Sequence, residues 1–225
     1  MSIPACVLHW PRQVSRQVMC ALFMPAQDMH PEQAHTHLPP TLSALSPAQL
    51  SRGLEAAPAD WPAELDGSRI DHRLSLLPAS VLEQVAWNLG LIMHAPYLRK
   101  LVLRDEVQTL TEQGLKDDDW QLALSSPPVP LEQASPSPLS AIALAEWPHR
   151  LRQSGFMALQ TLTAHLGPIL GQRLSWKLPP DLKANVTATV PSNTLLQLAY
   201  TPAVSNWSAQ WDRCLVQLKP LASHN

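Results

Sequence analysis

The hydrophobic residues of the segment 74–114 recur every three or four positions, which is the spacing of one face of an α-helix. Ser80 and Glu83 have the spacing of a capping box, so the pattern predicts a helix from about Ser80 to Pro96. Pro96 fits the first turn of a second helix, which Gly114 ends. The inward positions are Val81, Leu82, Val85, Ala86, Leu89, Ile92, Met93, Leu98, Leu101, Val102, Leu103, Val107 and Leu110. This segment therefore predicts a helical pair that forms the core scaffold.

Helical spacing predicts further helices on both sides of this pair. They cover Pro11 to Met24, Lys116 to Leu124, Leu139 to Trp147, His149 to Leu166 and a C-terminal helix that Asn206 caps, with Trp207, Trp211, Leu215 and Leu218 in one stripe. Asp117, Asp118 and Asp119 fall in the first turn of the second of these helices, where they complement the positive end of its dipole. Near 183–190, the β-branched tract from Val186 to Val190 favours one short β element without a visible hairpin partner.

Proline-rich stretches separate the predicted helices. Residues 25–72 contain seven prolines and form mostly a connector, with one short helix near Pro47. Residues 125–138 contain five prolines and four serines, which is the composition of an exposed linker or long loop. The pattern leaves open whether this stretch separates two subdomains. We therefore predict a mostly α fold, a single globular helical domain over residues 1–225 with Pro-rich connectors.

Composition agrees with the helical prediction and argues against two classes of function, nucleic-acid binding and insertion into a membrane. The chain has 23 prolines and 7 glycines, which suits helices punctuated by proline better than a β-sandwich with glycine turns. A formal net charge of −2 supplies no attraction toward phosphate backbones or anionic lipid, which argues against nucleic-acid binding. The densest apolar stretch, Leu89 to Met93, is too short to span a bilayer and predicts no direct membrane insertion. Cys6, Cys20 and Cys214 form no CxxC pair, and with no secretory signal they favour the cytosol.

One segment, DMHPEQAHTH, gathers side chains that can bind a metal. Its donors are Asp28, His30, Glu32, His35 and His37. Pro31 interrupts the helical geometry that would bring them together, and no HExxH order occurs, so a solvent-exposed polar loop is the favoured interpretation. The chain also lacks a GxSxG motif and phosphate-binding glycine loops. No catalytic residue, cofactor or metal site is therefore predicted.

Basic side chains concentrate on the outer side of the second helix of the pair. The stripe consists of Arg99, Lys100 and Arg104, with Arg73 and His94 joining it from upstream. It is either a solvated face that the neighbouring acidic pair partly neutralises or a surface that docks a protein. No aromatic platform interleaves with the stripe, which disfavours a nucleic-acid interpretation.

Three segments together point to a family. They are LSLLPASVLEQVAWNLGLIMHAPYLRKLVLRDEV at 74–107, RLSWKLPPDL at 173–182 and WSAQWDRCLVQLKPL at 207–221. In order and spacing they resemble the characteristic helical segment, the later Arg-Leu-x-x-Lys-Leu-Pro-Pro segment and the tryptophan-containing C-terminal helix of the SctK (YscK, PscK) proteins of bacterial type III secretion systems. The similar residues cover about a quarter of the chain.

The resemblance implies a non-enzymatic cytoplasmic adaptor of the type III secretion sorting platform. Such an adaptor links the cytoplasmic domain of the inner-membrane ring protein (SctD type) to the pod protein (SctQ type), so it lies at the cytoplasmic face of the inner membrane through its partners. Arg99, Lys100 and Arg104 would then form a docking surface. Two alternatives stay open: a dimeric secretion chaperone that binds export substrates in an apolar groove, and a metal- or cysteine-dependent hydrolase that uses residues 28–37.

Overall fold

The computed structural model describes residues 9–23, 25–30, 33, 65–101, 103–127, 139, 143–180, 182, 190–205 and 211–218. Of these residues, 72% are helical and none lies in a strand, so the mostly α fold class is confirmed. The helices are α1 (Arg12–Phe23), α2 (Ile70–Leu76), α3 (Ala79–Leu98), α4 (Arg104–Glu112), α5 (Asp117–Ser125), α6 (Trp147–Thr163), α7 (Pro168–Ser175), α8 (Asn193–Val204) and α9 (Trp211–Leu215). Two 3₁₀ turns lie at Pro25–Gln27 and Leu144–Glu146. The β element predicted near 183–190 lies outside the described residues, apart from Val190.

The chain divides into two compact units, each assembled from segments that are distant in sequence. Unit 1 contains Met1–Leu82, Leu162–Asp181 and Val204–Asn225, and unit 2 contains Glu83–Thr161 and Leu182–Ala203. No boundary between the units falls within 125–138, the proline- and serine-rich stretch for which the sequence left a division into subdomains open. The single domain over 1–225 stays a prediction.

Unit 1 begins with the helix that Pro11 was predicted to start. Helix α1 follows Pro11 directly and buries Val14, Val18 and Ala21, the stripe expected from their spacing. At the other end of the chain, Trp211, Leu215 and Leu218 are buried, again as one stripe. Asn206 and Trp207, predicted to begin this helix, lie outside the described residues.

Helices α2, α7 and α8 were not predicted. Six of the seven residues of α2 are buried, but three of the six are the polar His72, Arg73 and Ser75, so the buried positions do not form an apolar period in the sequence. Helix α7 has eight residues and begins at Pro168, so its pattern is short. Helix α8 begins at Asn193, shortly after the stretch near 183–190 in which a β element was predicted. It buries Leu195, Leu196, Ala199 and Tyr200.

Two details of the central helical pair in unit 2 differ from prediction. Helix α3 begins at Ala79, and the Pro78 carbonyl accepts hydrogen bonds from the N–H groups of Val81 and Leu82, so Ser80 lies inside the first turn and does not cap it. Pro96 lies in the last turn of α3, not in the first turn of α4. It is exposed, and a proline so near the end removes a single hydrogen bond, so the helix continues to Leu98.

The other end of the pair follows the prediction. Gly114 has a φ of 105°, the left-handed backbone conformation that ends a helix, and it lies two residues after Glu112, the last residue of α4.

The core of unit 2 lies around α5 and consists of the buried residues Leu91, Ala95, Leu98, Leu110, Leu115, Ala123, Leu139, Trp147 and Leu151. The predicted 139–147 helix is, where described, a 3₁₀ turn at Leu144–Glu146 leading into α6, whose first turn contains Pro148.

Glycines let α3 and α6 approach closely within unit 2. A Cβ atom on Gly155 would lie 1.7 Å from the carbonyl oxygen of Ala86, and one on Gly90 would lie 2.0 Å from the carbonyl oxygen of Leu151. Neither distance leaves room for a side chain, so the two backbones meet where each helix has a glycine.

Candidate functional site

The guanidinium of Arg99 binds the end of helix α5 in unit 2. Its Nε and Nη2 donate to the carbonyl oxygen of Ala123 at 3.1 and 2.9 Å, and Nη2 also donates to that of Ser126. These carbonyls lie at the C-terminus of α5, where helical partners are missing and the dipole favours a cation. Arg99 is therefore a structural residue of unit 2, and the sequence could not show this because α5 follows it by nearly twenty positions.

The other two predicted docking residues, Lys100 and Arg104, are exposed. The ammonium group of Lys100 lies 5.8 Å from the ring centre of Tyr97, and Arg104 is the first residue of α4. Between them in sequence, Leu103 was predicted to point inward, and this prediction is wrong: the side chain is 62% exposed, the highest value among the large hydrophobic side chains described. Lys100, Leu103 and Arg104 are called the basic surface below. It combines two cations with an apolar side chain.

The prediction that Arg73 and His94 extend the basic stripe is wrong, because both side chains are buried. Arg73 is buried in unit 1, where its Nε donates to the carbonyl oxygen of Gly67 at 2.7 Å and its Nη1 lies 3.0 Å from Asp212 Oδ1. His94 is buried in unit 2, 3.0 Å from Ser154 Oγ. Burial and the nearby Arg150 lower the pKa of His94 from 6.5 to about 4. Both side chains are polar groups of the interior.

The three acidic residues Asp117, Asp118 and Asp119 form the first turn of α5, and Asp119 makes the hydrogen bonds that fix this turn. Its Oδ2 accepts the backbone N–H of Lys116 at 2.8 Å, and its Oδ1 accepts the indole N–H of Trp87 at 2.8 Å. Both oxygens are thus used inside unit 2, while Asp117 and Asp118 are exposed in the first turn, as predicted.

The predicted metal-binding segment is described only in part. His30 is half-buried, and its backbone N–H donates to the carbonyl oxygen of Trp176 at 2.9 Å. Glu32, His35 and His37 lie outside the described residues. Within the described part of the chain, no group of three or more His, Cys, Asp or Glu side chains could hold a metal ion.

A buried lysine that sequence reasoning missed lies in unit 1. Lys177 Nζ donates to the carbonyl oxygens of Ser75 at 2.7 Å and Leu77 at 2.8 Å, at the C-terminal end of α2. Burial is the largest cause that lowers the pKa of Lys177 from 10.5 to about 8, and Asp28 opposes the shift. The only sequence signal is the apolar setting of Lys177 between Trp176 and Leu178, ahead of two prolines.

Unit 1 also contains a cavity of about 330 Å³. It is lined by Gln13, Val14, Arg16, Gln17, Cys20, Gln27, Asp28 and Trp211. Gln17 Nε2 donates to Asp28 Oδ2 at 3.0 Å and reaches the Leu76 carbonyl oxygen at 3.3 Å. The Cys20 thiol donates to Gln27 Oε1 at 3.2 Å. Polar side chains thus fix one wall of the cavity.

The polar side chains of the cavity can bind a ligand through hydrogen bonds, but its cysteine, Cys20, is not activated as a nucleophile. Burial and the Asp28 charge raise the pKa of the Cys20 thiol, which keeps the sulfur protonated. Burial also raises the pKa of Asp28, with Lys177 and Gln17 acting in the opposite direction. Arg16 and Asp28 place a guanidinium group and a carboxyl group in the same cavity.

None of the helices described has the length and apolar character needed to cross a membrane. Comparisons of the chain with protein-family models, with curated proteins and with solved structures found no match. The family resemblance drawn from the sequence therefore stays a prediction, and the function rests on the residues themselves.

Proposed function

We propose that the chain is a non-enzymatic adaptor of a type III secretion sorting platform that bridges an SctD-type inner-membrane ring protein and an SctQ-type pod protein. It would act in the cytoplasm, at the inner membrane, held there by its partners. The proposal starts from the three segments similar to SctK proteins at 74–107, 173–182 and 207–221.

One observation carries the proposal: two of the similar segments meet in a buried polar contact. Lys177, from the Lys-Leu-Pro-Pro segment, donates to the carbonyls of Ser75 and Leu77, from the Leu-Ser-Leu-Leu-Pro segment. The third segment contributes Asp212, which pairs with Arg73, the residue just before the first segment. The first and second similar segments are thus in direct contact in unit 1, and the third contacts the residue that precedes the first, which supports the proposal that the three belong to one shared structure.

The basic surface is the part of unit 2 that suits a partner. Arg99 is engaged with α5, so the available charges are Lys100 and Arg104, with Leu103 exposed between them. Arginine is enriched in interface hot spots, and complementary charge sets the association rate and specificity. A partner surface with carboxylates around an apolar pocket fits this arrangement.

Co-purification of the full chain with the cytoplasmic domain of an SctD-type protein, and separately with an SctQ-type protein, tests the proposal. Light scattering then gives the stoichiometry of each complex. Binding to both proteins with defined stoichiometry is expected. Binding to neither at micromolar concentration would overturn the bridging role, and a stable dimer that retains export substrates would favour the chaperone alternative.

Charge reversal tests the surface itself. Lys100→Glu with Arg104→Glu should weaken one of the two complexes by about tenfold or more, with the larger effect at low salt. Arg12→Glu changes an exposed charge on α1 in unit 1 and serves as the matched control. Full affinity in the double variant would exclude the basic surface and leave the adaptor proposal to the co-purification result.

A further inference from the structure

The cavity of unit 1 contains hydrogen-bonding groups that the fold leaves unused. Asp28 Oδ2 accepts from Gln17, whereas its second oxygen, Oδ1, accepts no hydrogen bond from the residues that the structure describes. The side-chain oxygen of Gln17 and the amide of Gln13 are likewise unengaged among those residues. Three polar side chains with spare capacity thus line one cavity.

The cavity also has opposite charges on different elements. Arg16 is exposed on α1, and Asp28 lies half-buried just after the 3₁₀ turn at Pro25–Gln27. Val14 and Trp211 are almost fully buried and give the cavity apolar walls. A ligand with a single charge would be attracted by one of these groups and repelled by the other. A ligand that carries both charges satisfies both.

We propose that this cavity binds a small zwitterion, an α-amino acid with an apolar side chain. Its ammonium group donates to Asp28 Oδ1 and the Gln17 oxygen, and its carboxylate accepts from Arg16 and Gln13. Its side chain packs on Val14 and Trp211. The volume of about 330 Å³ falls at the lower end of the range for small-molecule sites, and an amino acid fits it together with bound water.

This inference concerns unit 1 alone and does not rest on the adaptor function. The test is isothermal titration calorimetry of the full chain, without partners, with L-leucine and L-phenylalanine at up to about 10 mM. N-acetyl-leucine lacks the ammonium group, and leucinamide lacks the carboxylate. We expect the zwitterions to bind with one site per chain and each blocked analogue to bind about tenfold more weakly or worse.

Variants locate the binding. Arg16→Gln removes the cation from an exposed position and should weaken binding about tenfold without loss of fold, and Asp28→Asn should have an effect of the same size on the ammonium side. Arg12→Gln removes an equal charge from α1 at a position that does not line the cavity, and binding should be unchanged. No heat of binding with either amino acid would overturn the proposal, as would equal binding by the blocked analogues or by Arg16→Gln.

Discussion

At the residue scale, His94 makes the stability of unit 2 sensitive to acid. Its pKa is lowered from 6.5 to about 4 by burial and Arg150. Between these pH values the unfolded chain binds a proton that the native state does not, so the free energy of unfolding falls as the pH falls from 6.5 toward 4. The loss should approach about 3 kcal/mol.

Urea unfolding at pH 7 and pH 5, followed by circular dichroism, measures the part of this loss that occurs above pH 5, about 2 kcal/mol. His94→Gln keeps a partner for Ser154 but cannot titrate, so the difference between the two pH values should shrink in the variant. An equal difference in both proteins would show that other groups cause the acid sensitivity.

Lys177 acts in the alkaline range. Its pKa in the native state is about 8 against 10.5 for an ordinary lysine. Below pH 8 both states carry the proton, whereas between pH 8 and 10.5 only the unfolded chain holds it, so the free energy of unfolding rises with pH across that window. Lys177→Met should lose the rise, and at pH 7.5 it should also be less stable by about 1–3 kcal/mol because the Ser75 and Leu77 carbonyls lose their donor. Unfolding curves at pH 7.5 and 9.5 distinguish these effects, and an unchanged rise in the variant would contradict the assignment.

At the element scale, the adjacent residues Arg99 and Lys100 differ in their contacts: Arg99 binds the C-terminal end of α5, whereas Lys100 is exposed. Arg99→Met removes the cation from the C-terminal carbonyls of α5 and should lower the free energy of unfolding by about 1–3 kcal/mol. Lys100→Met, at an exposed position, should change it by less than about 0.5 kcal/mol. Urea titration of the two variants provides the comparison, and equal losses would mean that the contact with α5 contributes nothing.

The crossing of α3 and α6 depends on glycine. In an isolated helix Gly155→Ala would be stabilising by about 1 kcal/mol, but here the added Cβ would lie 1.7 Å from the Ala86 carbonyl oxygen. The variant should instead be destabilised by about 1–3 kcal/mol or more, as for an overpacked core. Thermal unfolding checks the sign, with Gln153→Ala on the same helix as the control. A more stable Gly155→Ala protein would contradict the close approach.

The sequence predicted elements well where polar and apolar faces alternate, as in α1 and α5. It failed where polar side chains are themselves buried, as His72, Arg73 and Ser75 are in α2, because hydrophobic spacing then does not mark the buried positions. It also misjudged Pro96, since only the folded helix shows that this proline is exposed and lies in the last turn of α3. Element type was therefore easier to predict than element boundaries.

The candidate site was less predictable than the fold. Charge in the sequence made Lys100 and Arg104 candidates, but Arg99 and Arg73 looked identical to them because Arg99 binds the carbonyl of Ala123, 24 positions away, and Arg73 pairs with Asp212, 139 positions away. Lys177 was missed for the same reason, since its acceptors lie 102 and 100 positions earlier, whereas the cavity was missed because spacing along the chain does not show how the turn after α1 folds back on α1. Long-range acceptors carry no local sequence signal.

At the scale of the whole molecule, unit 1 is completed by its C-terminal segment. The carbonyl oxygen of Leu215 lies where a Cβ on Gly67 would stand, and Leu215 itself is fully buried. Leu215→Ala should therefore lower the free energy of unfolding by about 2–5 kcal/mol. Its neighbour Val216 is 44% exposed, so Val216→Ala should cost less than about 0.5 kcal/mol. Chemical denaturation measures both, and similar values would contradict the role given to α9.

The bond between the indole N–H of Trp10 and Gln217 Oε1 joins residues 207 positions apart, at 3.0 Å. During synthesis on the ribosome, α1 therefore emerges long before the segment that covers it. Helix α1, with its buried residues Val14, Val18 and Ala21, can pack on α2 of unit 1 first, but its contact with the C-terminal segment forms only after the residues of unit 2 are translated. Complete assembly of unit 1 therefore follows the synthesis of unit 2.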